Sequence, residues 1–308
     1  MSFLPPSLEY LSVLCRDEWG DGGELLRNTV CSFVRRRGSS LRGFETRVPL
    51  SEVTTLHLME FPNLSHLAIS QGPPKIAPAS IFLSLEQLHL ISQEALPWLH
   101  FLASYGQGAS RADSPSVVQA TNIRNMLKSL EYPERTIVDS KVLSSIADFR
   151  NSVILRVPAG CTDREDCRFR LTDDDVESLA TTLPRLKTLR LGYPCRCNTW
   201  KTETTIVSLM SISVNCLDLE DLETHFYTNS IARDMRRLLD GGTSGREKPK
   251  CKLQSLSVGK MFISLQWGDA ETIAMGFKEI FPYLKGFKGY TLVEFADPWE
   301  RVQSKLLE

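Results

Sequence analysis

The chain has 308 residues, of which 42% are apolar, 24% charged and 8% aromatic, a balance that supplies a sizeable core and argues against a disordered chain. Its 36 basic and 37 acidic side chains leave a formal charge of -1, so no global field steers it to nucleic acid or to an anionic membrane. No apolar run is long enough to span a bilayer. The stretch from Met1 to Leu11 holds Pro5, Pro6 and Glu9 without a basic segment, which argues against a secretory leader. Eight cysteines are too sparse for a disulfide scaffold and read as thiols, so the expected location is cytoplasmic or nuclear.

A phrase, L-x-x-L-x-[LIV], recurs along the chain, and the segments between its copies read as helices. Its first copy is Leu8, Leu11, Val13. A helix is expected over Glu24 to Arg36, with Leu25, Val30 and Phe33 along one side. A weaker copy at Leu41, Phe44, Thr46 precedes two clear ones, at Leu64, Leu67, Ile69 and at Leu85, Leu88, Leu90. From about Gln93 to Asn151 the pattern fades, and GQGASRADSPS within it predicts a surface loop over 104–116. Ile154 to Val157 reads as a strand of the same sheet. Thr172, followed by Asp173, Asp174 and Asp175, reads as the N-cap of a helix that aligns Val176, Leu179 and Leu183.

The next copies are Leu186, Leu189, Leu191 and, more weakly, Leu219, Leu222, Thr224. A second loop is expected over 240–251 before Leu253, Leu256, Val258. A helix over Asp269 to Ile280 then ends at Phe281-Pro282, ahead of Leu284 and Phe287. From Leu186 the copies begin at 186, 219, 253 and 284, so the steps are 33, 34 and 31 residues.

Side chains alternate along a strand, so the fourth and sixth places of the phrase face a core and the residues between them face outward. The fold class that follows is α/β: one irregular leucine-rich-repeat solenoid domain over residues 1–308, with a curved parallel sheet on the concave side and helices on the convex side. Irregularity is expected because the Asn or Cys that usually follows the last strand leucine is missing. Arg16, Gly72, Gln93, Pro194 and Met261 stand in its place.

The FP-x-L-x-x-L phrases at Phe61 and Phe281, the segment Cys167 to Cys195 and the segment Lys252 to Phe287 together resemble the repeat region of fungal, mushroom-type F-box-like proteins. That resemblance implies a substrate-recognition part of an F-box-type ubiquitin-ligase receptor. Leu8 to Val13 is already a strand phrase, which leaves no room for an F-box before it. A ubiquitin-ligase adaptor is therefore a partner only if an F-box is missing from the gene model.

Other constellations have plainer readings. Cys161, Cys167, Cys195 and Cys197 have the spacings C-x5-C and C-x-C, wider and narrower than those of structural zinc pairs, and read as thiols. Asp173, Asp174 and Asp175 read as helix-start carboxylates rather than a metal cluster. Asp17, Asp21 and Gly22 lack the ligands that would complete a calcium loop. Gly106 and Gly108 lack the third glycine of a dinucleotide loop. Arg35 to Arg37 reads as a helix C-terminus. No cofactor is implied.

Function is expected on the outward strand positions, which line the face that solenoids use for partners. They are Tyr10, Ser12, Glu45, His66, Gln87, His89, Thr188, Arg190, Ser255, Ser257 and Lys288. Their mixed polarity, with a Tyr and an Arg, suits a protein interface. The reading is a protein–protein interaction scaffold with an unknown protein partner, not an enzyme, with no nucleic acid and no membrane. The alternatives are a hydrolase-like enzyme built around His66 and His89, and a degenerate paralogue without its own activity.

Overall fold

The computed structural model describes residues 8–14, 22–37, 40–75, 81–91, 95–104, 124–133, 136–159, 168–192, 203–226, 228, 230–241, 250–258, 269–289 and 298–308. They fall into two units, Met1–Glu134 and Arg135–Glu308. Both expected loops, apart from their end residues, lie outside the described residues, as do all four of the clustered cysteines.

In the first unit the elements are β1 (Tyr10–Val13), α1 (Gly22–Arg37), β2 (Gly43–Thr46), α2 (Glu52–Met59), β3 (His66–Ile69), β4 (Gln87–Leu90), α3 (Ala95–Ser104) and β5 (Ser129–Glu131). The strands pair in parallel and in chain order. The register sets Leu11, Phe44, Leu67, Leu88 and Leu130 in one row. The last four of these are at most 1% exposed. Each leucine buried in this way is worth roughly 1.5–3 kcal/mol, which is what fixes the register: a one-residue slip would turn every such row to solvent.

The second unit runs β6 (Ile154–Val157), α5 (Asp173–Thr182), β7 (Thr188–Leu191), α6 (Ile206–Asn215), β8 (Asp221–Thr224), α7 (Ile231–Asp240), β9 (Ser255–Val258), α8 (Asp269–Ile280), β10 (Gly286–Gly289) and α9 (Pro298–Leu307), with α4 (Ser140–Ile146) ahead of β6. Its strands are again parallel and ordered along the chain. Leu155, Leu189, Leu222, Leu256 and Phe287 form the matching buried row. Trp299, buried at 1% exposure, packs on Phe287 at 5.1 Å between ring centroids and anchors α9. The other side of that helix is polar, with Glu300, Arg301 and Gln303 exposed, so α9 covers the end of the core with a wettable surface. The fold is thus the expected α/β leucine-rich-repeat type, parallel strands alternating with helices.

Six strands, β3, β4, β6, β7, β8 and β10, are entered through the same turn. The amide of Leu64 donates to the Phe61 carbonyl, and the pairs Leu85–Phe82, Ser152–Phe149, Leu186–Leu183, Leu219–Cys216 and Leu284–Phe281 repeat that bond. The first residue of each turn is a Phe, Leu or Cys that is at most 4% exposed. The turn therefore satisfies its own backbone while inserting a buried side chain ahead of the sheet.

Side-chain hydrogen bonds of different kinds join neighbouring repeats. The Trp98 Nε1–H donates to the Gln71 carbonyl at 2.6 Å. The amide of Leu50 donates to Gln71 Oε1. His225 Nε2 meets the Gly192 carbonyl at 2.9 Å. The joining side chain is thus a Trp, a Gln or a His, and differs from one junction to the next.

Two details depart from the sequence reading. In α1 the buried stripe is Val30, Cys31 and Val34, while Leu25 is 73% exposed. Five residues separate Leu25 from Val30, and at 100° per residue that is 140° around the helix. The second departure is β5, in the stretch where the pattern faded. Leu127, Leu130 and Tyr132 are its phrase, all at most 1% exposed. A tyrosine in the aliphatic place hid it.

Candidate interaction faces

The outward positions form two rows in each unit. In the first unit one row is Tyr10, Gly43, His66, Gln87, Ser129 and the other is Ser12, Glu45, Ala68, His89, Glu131. All six candidate residues from this unit lie in these rows. Tyr10 is 62% exposed, and its ring lies across Gly43, where a Cβ would sit 2.2 Å from Tyr10 Cδ1. The absent side chain at Gly43 is what allows an aromatic ring to lie along the sheet there. Ser12 Oγ donates to Glu45 Oε2 at 3.1 Å.

His66 and His89 are on paired strands but not opposite each other. His66 faces Gln87 and His89 faces Ala68. His66 Nδ1 is 3.0 Å from Gln87 Oε1. A histidine hydrogen-bonded to a neutral amide has no carboxylate to orient it and no hydroxyl or thiol to activate through that nitrogen.

In the second unit the rows are Ile154, Thr188, Asp221, Ser255, Gly286 and Arg156, Arg190, Glu223, Ser257, Lys288. The five candidate residues here are joined by Arg156, Asp221 and Glu223. Arg190 reaches Asp221 Oδ2 with Nη2 at 3.0 Å and Nε at 3.3 Å, and its Nε is 3.4 Å from Glu223 Oε2. Burial pushes the Glu223 carboxyl above the usual carboxylate range, with Asp221 adding to the rise, against the pull of Arg190, Lys288 and Arg156. Ser257 faces outward by register but is only 8% exposed. Its short side chain stands between Glu223 and Lys288.

Arg156, Asp221 and Glu223 were within reach of the sequence, since the alternation rule applied to Ile154–Val157 and to the weak phrase at Leu219 gives all three. Ser129 and Glu131 were hidden with β5. The three helix-start aspartates divide their work. Asp175 closes a capping box with Thr172, and Asp174 is exposed. Asp173 accepts from the amide and hydroxyl of Thr205, each at 2.7 Å, from the Ser208 amide at 3.2 Å and from the Ser208 hydroxyl. It thereby caps the next helix, α6. Among the described residues no group of three or more His, Cys, Asp or Glu is placed to hold a metal ion, and no helix is long and apolar enough to cross a membrane.

No family model matches the chain, and no curated protein does. Among solved structures, the chain is similar to the leucine-rich repeat-containing protein LegL7 from Legionella pneumophila, at 9% identity and a TM-score of 0.36, over 90% of this chain and 93% of that one.

Proposed function

We propose that the protein is an interaction scaffold whose outward strand rows receive a protein partner. The observation that carries this reading is the division within the strands. In most strands the inward residues are apolar and shielded, whereas the outward rows present Tyr10, Gln87, Arg190 and Lys288. Aromatic and arginine side chains on an otherwise polar face are the composition of partner-binding surfaces. The arrangement at His66 favours this reading over the hydrolase-like one. The finer reading is a substrate-recognition part of an F-box-type ubiquitin-ligase receptor. It is supported by the phrases at Phe61 and Phe281 and needs an adaptor-binding motif in the natural gene product.

Photo-crosslinking residues placed at Tyr10 and Lys288, with controls at Leu25 and Val207 on the helices, test the scaffold. Partner capture from the strand positions and not from the helices is the expected result. Capture confined to the helix positions overturns the reading. The receptor reading is tested by co-purifying the natural gene product with the ligase adaptor, and fails if no adaptor is retained.

A further inference from the structure

The geometry points to the outward face of β6–β10 as a dock for an extended acidic segment of a protein partner, with Arg190 and Lys288 receiving carboxylates spaced four residues apart. This rests on the scaffold reading and names the chemistry of the partner.

The argument starts from the depth of each charge. The row holds Arg156, Arg190 and Lys288 as cations, and the anions of this face are Asp221 and Glu223. The side chains of Arg190, Asp221 and Glu223 are 43%, 29% and 9% exposed, and Lys288 is exposed. Glu223 is thus the most shielded of the three, Asp221 is less exposed than Arg190, and Arg190 bonds to both carboxylates. The better-exposed charges of these rows are guanidinium and ammonium groups. At the rim Lys187 is paired with Glu220 at 3.8 Å, and Lys285 is exposed. The better-exposed charge of this face is consequently positive, although the protein as a whole carries -1, and complementary charge is what selects and orients a partner.

Spacing sets the form of that partner. Arg190 on β7 and Lys288 on β10 are three strands apart, about 14 Å at the usual strand separation. An extended chain covers that distance in about four residues, and residues i and i+4 of an extended chain point the same way. Two acidic side chains at i and i+4 thus reach both cations from a segment that crosses the strands. A continuous phosphate backbone fits less well, because it would lay charge over Asp221 and Glu223 with no gap between the cations.

The test uses the full chain and fluorescent ten-residue probes in a Gly/Ser background. They carry Glu at i and i+4, Glu at i and i+3, or Lys at i and i+4, alongside a single-stranded oligonucleotide of matching length. The i, i+4 acidic probe is expected to bind tightest and to weaken as salt rises. Lys288→Glu is expected to weaken it roughly tenfold, the scale of reversing one charge on an exposed contact. Arg190→Lys keeps the charge beside Glu223 and is expected to bind more weakly by a few-fold, through loss of the fork. Equal binding of the acidic and basic probes, tighter binding of the oligonucleotide, or indifference to Lys288→Glu overturns the proposal. A random twelve-residue display library separates it from the reading beneath. Captured peptides that are not acidic but are lost on Lys288→Glu or Tyr10→Ala defeat the acidic dock and keep the scaffold. Capture that ignores both substitutions defeats both.

Discussion

Replacing Asp173 by alanine should destabilise the protein far more than replacing its neighbour Asp174, though both sit in the first turn of α5. Asp173 takes four donors from the start of α6, two of them backbone amides at 2.7 and 3.2 Å and two hydroxyls. Hydrogen bonds to a charged acceptor are worth about 1.5–3 kcal/mol each when fully shielded. This site is only half-buried, and the four bonds share one carboxylate. A helix cap contributes about 1 kcal/mol and the helix dipole about 0.3–1 kcal/mol more. Together these give about 1.3–2 kcal/mol for Asp173→Ala. Asp173→Asn keeps one acceptor oxygen and should lose about 1 kcal/mol. Asp174→Ala should stay within about 0.5 kcal/mol of the parent, since it is exposed. Urea unfolding followed by far-ultraviolet circular dichroism measures all three. If Asp173→Ala and Asp174→Ala shift the midpoint equally, the three aspartates are interchangeable dipole charges and the cross-repeat cap contributes nothing.

Gly192 has φ of +80°, and a Cβ there would lie 2.3 Å from Phe169 Cδ2 and 2.9 Å from His225 Cδ2. Left-handed strain and overpacking together make Gly192→Ala roughly 2–4 kcal/mol destabilising; a loss under about 1 kcal/mol in the same urea assay contradicts the strain. Burial pushes the thiols of Cys216 and Cys251 up to about 12 and about 11, so both should resist iodoacetamide at about pH 8 until urea unfolds the chain. Mass spectrometry of the native protein showing either one alkylated as fast as a small-molecule thiol refutes that. Glu223, whose carboxyl is held above the usual range chiefly by burial, costs stability when ionised. The parent should therefore lose stability relative to Glu223→Gln as pH rises from the ordinary glutamate value through the raised one. Midpoints at about pH 4 and about pH 7 check this; a parent that gains on the variant over that interval has a depressed carboxyl instead.

The strand phrases are legible because two simple constraints act on them at once. Alternation sends every second side chain one way, and a repeat must bury its leucines against the next. Those constraints alone mark Leu67, Leu189 and Leu256 as inward residues, and Tyr10, His66 and Arg190 as outward ones. The capping box at Thr172 and Asp175 is equally local, since both partners lie within four residues. The phrase ending in Tyr132 escapes because an aromatic side chain fills an aliphatic place.

What tertiary structure decided is everything that depends on which residues the register brings side by side. Sequence spacing alone does not set His66 against Gln87 rather than His89, nor Asp173 at the start of a helix some thirty residues away. Nor does it shield Glu223 beside Arg190 while Lys288 stays in water. Inward and outward are written in the alternation of a single strand. Depth and partnership arise only when neighbouring strands pair, because shielding from water is a property of the assembled sheet and not of any one residue.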